Sequence, residues 1–295
     1  MLSAGPIRLT AILAPVVRRF VFTAFRLIGG GAIVLIGNGA ESVASDGVRM
    51  RPDINHNRVI EDLKLELIWI VPGTFTMGSP ADEFGRDKAE GPRTVVTLTK
   101  GFWLGKTTVT QEQYEKFTGK NPSAFKKSGK DAPVETVSWL DAARFCEDLT
   151  RRERAAGHLP EDYEYALPTE AQWEYACRAG SADAYSGSPD HTSWYDDNSW
   201  GVTHPVARKR PNKWGLYDMT GNVLQWCSDW YGDYPGGRVT DPVGPSTGYY
   251  RMARGGCWRM SSTVCRSAAR AGGSPARLDY TLGFRLALAP KLKRE

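Results

Sequence analysis

From Trp194 onward the chain is cut every few residues by Gly, Pro, Asn or Asp, so neither a long helix nor a long strand has room to form there. Such a stretch can still fold if short strands and ordered loops wrap an aromatic core. The composition supplies one, with 10 Trp, 12 Tyr and 10 Phe set against 31 Gly and 18 Pro. At 295 residues the chain is long enough to bury a sizeable core, and no internal repeat divides it. Long ordered loops need fasteners, which disulfides, bound cations or Trp packing can supply.

The first half reads differently. "LKLELIWIVPGTFTMGS" alternates apolar and polar residues into Pro72 and Gly73 and then resumes, which predicts a hairpin. "TVVTLTKGFWLGKTTVT" repeats the pattern from Thr94. Three capping boxes follow: Thr110 with Gln113, Ser138 with Asp141, and Thr169 with Gln172. Each predicts a helix, because apolar residues then recur at helical spacing, as in Ala142, Phe145, Cys146 and Leu149. The fold class expected is α+β: a single compact domain with short helices, twisted antiparallel strands and much ordered loop.

The net charge of +5 is modest, and +3 of it lies in the first 44 residues, where Arg8, Arg18, Arg19 and Arg26 oppose only Glu41. The remainder is too weakly basic for a nucleic-acid footprint, so no nucleic acid is expected as a partner. Those first residues join a basic region to the apolar run "LIGGGAIVLI" and then to Ser42-Val43-Ala44. That is the pattern of a signal peptide or membrane anchor over residues 1–44, and Arg18-Arg19 is similar to a twin-arginine export signal. The expected organisation continues with a polar linker over 45–62, the folded domain over 63–290 and a basic tail over 291–295. The body is then exported, periplasmic or anchored facing the periplasm, and it meets a membrane only through the N-terminal segment.

Familiar catalytic patterns are missing. His56, His158, His191 and His204 lack zinc-site spacing, and no nucleophile elbow or phosphate loop occurs. Five cysteines remain, an odd number that leaves at least one unpaired within a monomer. Two of them, Cys257 and Cys265, lie in "GGCWRMSSTVCRSAAR". Eight residues of extended chain span up to roughly 26 Å, so these two can share a metal only if residues 258–264 double back. If the following run is extended, period-two alternation puts Cys265, Ser267 and Ala269 on one face.

Six blocks in order carry a family resemblance: "GTFTMGS" (73–79), "VTQEQYEKF" (109–117), "PVETVSWLDAARFC" (133–146), "ALPTEAQWEYACRAG" (166–180), "NKWGLYDMTGNVLQWCSDWY" (212–231) and "RMARGGCW…CRSAAR…LGFRLA" (251–287). Together they resemble the formylglycine-generating enzyme, or sulfatase-modifying factor, family, which implies a C-type lectin-like domain. Its best-known members use O2, and copper(I) held by two thiolates, to oxidise a peptide cysteine to formylglycine on a sulfatase. Soft thiolates suit copper(I). The family's Cys-x-x-x-x-Cys arrangement is absent here, which leaves Cys257 and Cys265 as the candidate catalytic pair and copper as a cofactor only under that activity.

The resemblance also implies a disulfide from the position of Cys177 to that of Ser267. With Cys265 two residues earlier on the same expected face, it implies a Cys177–Cys265 bridge. It implies a calcium loop with ligands at Asp218, Gly221, Val223 and Gln225, where relatives begin with Asn and end with Glu, and a first calcium loop starting at Asn198. Trp258 and Arg259, with Tyr249 and Tyr250, are candidates for a binding groove. Two functions follow: oxidation of a cysteine in an extended, sulfatase-like peptide, or non-catalytic binding of a peptide or partner protein in the periplasm.

Overall fold

The computed structural model describes residues 56–291, so the expected leader, most of the linker and the end of the basic tail lie outside the described residues. The ordered body starts earlier than the sequence suggests. Strand β1 (Arg58–Ile60) and a 3-10 turn at Glu61–Leu63 precede β2 (Leu65–Ile70), and β1 pairs antiparallel with β2.

Next come β3 (Gly73–Met77), β4 (Thr94–Leu98) and β5 (Phe102–Gly105), then α1 (Gln111–Thr118), α2 (Trp139–Ala155), β6 (Tyr163–Ala166) and α3 (Glu170–Arg178). The loop-rich half carries α4 (Pro189–Thr192), β7 (Leu224–Trp230), β8 (Gly237–Thr240), β9 (Arg251–Arg254), β10 (Arg270–Gly273), β11 (Leu282–Phe284) and β12 (Ala287–Pro290). No described helix is long and apolar enough to cross a membrane.

These strands form three small sheets, ordered β1-β2-β5-β12-β6, β10-β9-β7-β11 and β3-β4-β8. The expected hairpin across Pro72 and Gly73 does not form. β2 pairs with β5 in the first sheet while β3 pairs with β4 in the third, so the chain crosses between sheets at Val71 and Pro72. Both strands have the right alternation, but the pairing partner is chosen by which sheet buries each apolar face.

All three capping boxes are present, with Thr110, Ser138 and Thr169 each accepting from the backbone N–H three residues on. That local geometry satisfies first-turn donors whatever surrounds the helix. Ala142, Phe145, Cys146 and Leu149 form the buried stripe of α2. Helix α3 is buried on nearly every side and packs Trp173 and Ala176 among Phe102, Leu104 and Met252.

Burying α3 means burying its charges. Glu170 and Glu174 sit one turn apart, facing Arg254 and Arg270, which are register partners across β9 and β10. Glu174 pairs with Arg254 and Arg178 and also accepts from Gly78 N at 2.9 Å. The terminal nitrogens of Arg254 also donate to the carbonyls of Ser267, Ala268 and Ala269. Arg270 takes Glu170 in a fork, at 2.7 and 2.9 Å.

Truncating a buried partner strands the opposite charge, so Glu174→Ala is expected to cost about 3–5 kcal/mol, read from urea unfolding of the purified chain. An effect below about 1 kcal/mol would mean that the pair does not hold α3 in place.

Candidate functional site

The C-terminal segment turns on Gly255 and Gly256, whose φ values are +99° and +68°. A Cβ at Gly255 would stand 2.6 Å from Met219 O, and one at Gly256 2.7 Å from Cys265 Sγ. Only glycine lets these runs approach so closely. Beyond Cys257, Met260 N donates to Cys257 O at 3.0 Å, and Ser261 caps a 3-10 turn at Ser262–Val264. The segment therefore doubles back.

The Cys265 thiol faces backbone N–H groups of Gly221 and Cys257, and it lies close enough to Cys257 for charge on either sulfur to disfavour charge on the other. The two cysteines that are far apart along an extended chain are thus neighbours. Both are fully buried. Burial pushes Cys257 up to about 11 and Cys265 up to about 12, so each is a neutral thiol at neutral pH.

The expected Cys177–Cys265 bridge is not formed. All five cysteines are free, and Cys177 Sγ instead meets Ser267 Oγ at 3.6 Å. The parity argument fails because residues 265–269 are turns and the strand begins only at Arg270. Strand alternation does not apply to turn residues, and Cys265 points toward Gly256 rather than toward α3.

Trp258 and Arg259 belong to a larger cluster. Phe125 meets Trp258 edge-on at 5.2 Å and Tyr280 at 6.0 Å, while Trp258 and Tyr280 lie 5.9 Å apart. The Arg259 guanidinium lies over Trp258 at 5.9 Å and Tyr280 at 5.6 Å and donates to the Tyr280 hydroxyl. Arg259 and Tyr280 are exposed, and Trp258 and Phe125 are half-buried. Phe125 and Tyr280 carry no local sequence signal, because only the folded chain brings their loops together. Tyr249 and Tyr250 stand outside this cluster, just before β9, where Tyr250 O accepts from Tyr231 N.

The residues expected to hold calcium are differently engaged. Asn198 closes its own turn, accepting from Tyr195 N at 2.9 Å and donating to Ser193 O at 3.1 Å. Asp218 is buried; one oxygen accepts from Ala207 N at 2.8 Å and the other has no partner. Gly221 N bonds Gly255 O, Val223 is buried, and Gln225 is wholly occupied by protein partners. Among the described residues no three His, Cys, Asp or Glu side chains converge as a metal site.

Short antiparallel sheets, capped helices and long loops around a glycine-turned segment define an α+β scaffold of the formylglycine-generating-enzyme type. Residues 57–290 match the family described as sulfatase-modifying factor enzyme 1-like domain, and the chain belongs to that family. It is 32% identical over 213 residues to the chaperone protein LppX of Paenibacillus barcinonensis, covering 56% of this chain and 72% of that one. It is 34% identical over 178 residues to the formylglycine-generating enzyme of Streptomyces coelicolor, covering 52% of each. The chain thus spans about half the length of that enzyme. Among solved structures, Treponema denticola variable protein 1 superposes with a TM-score of 0.70 at 30% identity, over 80% of this chain and 99% of that one.

Two outcomes follow. A thiol reagent added to the native protein is expected to label none of the five cysteines and to label all five after unfolding in denaturant without reductant; a mass spectrum showing a Cys177–Cys265 cross-link would contradict the structure. The second concerns pH. Burial pushes Asp218 up to about 6, and burial with the nearby Glu170 charge pushes Asp229 up to about 7. Unfolded, both release their protons near pH 4, so the folded chain binds more protons between about pH 4 and 7 and stability falls as pH rises through that window. Urea midpoints should drop from pH 5 to pH 8, and Asp229→Asn should recover about 1 kcal/mol or more of the loss.

Proposed function

We propose that this chain binds an extended segment of a peptide or partner protein without catalysing its oxidation. The face is that of Trp258, Arg259, Phe125 and Tyr280, in the exported compartment to which the N-terminal segment is read as directing it. The observation that carries the reading is the contrast between neighbours: Arg259 and Tyr280 are exposed and Trp258 is half-exposed, while the Cys257 and Cys265 thiols beside them are fully buried and neutral. Aromatic side chains give large contact area with only two torsions to freeze, and an arginine held over their rings adds charge and hydrogen-bond donors. A buried neutral thiol neither attacks a substrate nor meets one as a ligand without the loop opening. A relative named as a chaperone protein is in keeping with partner binding.

A second reading is favoured by one observation, that Cys257 and Cys265 are neighbours. As a soft two-thiolate donor set, Cys257 and Cys265 would hold copper(I), which supplies O2 activation when bound. Under that reading Trp258 and Arg259 hold the sulfatase-like peptide beside the pair.

One experiment separates the two. The full chain, with and without copper(I), is titrated with a fluorescent peptide bearing the Cys-x-Pro-x-Arg sulfatase motif and with its Ser-for-Cys counterpart, and the products are examined by mass spectrometry. Binding reads equal affinity for both peptides, about tenfold or greater weakening by Trp258→Ala or Tyr280→Ala, and unchanged peptide mass. Copper-dependent aldehyde formation on the Cys peptide would overturn it in favour of oxidation; no binding to either would overturn it outright.

A further inference from the structure

The turn at 218–225 gathers backbone carbonyls inside the protein. Asp218, Gly221 and Asn222 all adopt left-handed φ, at +50°, +74° and +60°, which bends the chain tightly enough to bring Asp218 O and Met219 O to one side chain. Buried carbonyls need donors or a cation. Relatives with Glu at the last ligand position are expected from the resemblance to use calcium. A carboxylate there would set oxygen against oxygen without a metal between them.

Here position 225 is glutamine. Its Nε2 donates to Asp218 O at 2.8 Å and Met219 O at 3.1 Å, which uses both amide hydrogens. Its Oε1 accepts from Trp173 Nε1 at 2.9 Å and Arg285 Nε at 3.0 Å. Indole and guanidinium can only donate, so this orientation of the amide is the one the neighbours permit. Arg285 supplies the positive charge. Fully buried, it donates onward to Gly105 O, to Tyr217 O at 2.6 Å and to Asp218 O at 3.1 Å. Burial lowers its pKa to about 10, which still leaves it charged at neutral pH.

We infer that the Gln225 amide and the Arg285 guanidinium together do in this chain what a calcium ion would do in the 218–225 turn, so that the domain folds and holds its site without calcium. The residues present do not fit the ion. Calcium takes six to eight oxygens at about 2.3–2.6 Å, and this turn has one unpartnered carboxylate oxygen, on Asp218, beside a fixed cation that repels a second. The turn bears on the candidate site because Gly221 N bonds Gly255 O and Gly221 also faces the Cys265 thiol. Whatever holds 218–225 therefore sets the floor beneath Cys257 and Cys265.

The test compares the full chain with Gln225→Glu by thermal unfolding in excess EGTA and in millimolar calcium chloride, with calorimetric calcium titration of the unsubstituted chain. Expected are a wild-type Tm that moves by less than about 1 °C and no saturable calcium binding. Gln225→Glu should melt several degrees lower in EGTA, because its second oxygen then faces the Asp218 and Met219 carbonyls, and be raised by calcium, because two carboxylates, Asp218 and the new one, then outweigh the single Arg285 charge. Saturable binding or a calcium-raised Tm in the wild-type chain would overturn the inference, as would a Gln225→Glu variant that melts like wild type in both media. If the variant does not fold in EGTA, its recovery in calcium supports the inference, and the wild-type titration decides the matter alone if it folds in neither.

Discussion

The buried ion pair between Glu174 and Arg254 is the interaction on which the rest of the structure hangs. Both side chains are fully buried, and the pair joins α3 to β9, to the loop after β3 through Gly78, and to the turns at 267–269 through three carbonyls. Three small sheets with few residues apiece cannot each bury a core of their own. A central helix whose buried carboxylates also need partners from β9, β10 and the loop after β3 makes the assembly of those elements cooperative. Buried pairs of this kind contribute little net energy when complete, yet removing one member leaves an uncompensated charge, so they favour one arrangement over its competitors.

The same economy shapes the candidate site. Arg266 binds Glu90 with both terminal nitrogens, at 2.7 and 2.6 Å, and Glu83 at 2.5 Å, which ties the loop at 80–90 to the residue directly after Cys265. Cys265 is thereby fixed from one side by an ion pair and from the other by the turn that Gln225 and Arg285 close. A thiol held so tightly and kept from water is chemically quiet. The exposed side of the segment is its aromatic and arginine side, and membership of an enzyme family does not by itself carry over the enzyme's chemistry.

Where sequence reasoning succeeded, the interactions are local. A capping box spans three residues, and all three boxes folded as read. The buried stripe of α2 follows from helical spacing, and the α+β class follows from punctuation by Gly and Pro. Where it fell short, the answer lay across the molecule. The alternation of β2 and β3 was legible, but their separation into different sheets was not, because each strand's partner comes from β5 or β4. The parity of Cys265 with Ser267 was sound for a strand and irrelevant to a turn.

The sequence alone therefore determined the family, the class of fold and the starts of α1, α2 and α3, because each depends on neighbours within a few residues or on ordered blocks of chain. Tertiary structure decided which thiols are neighbours, that Phe125 and Tyr280 join Trp258, and that the Gln225 amide faces the carbonyls of Asp218 and Met219. Those outcomes depend on donors and rings delivered from α3, from Arg285 just after β11 and from distant loops, and closing such long-range contacts is a property of the packed whole that residue spacing does not encode.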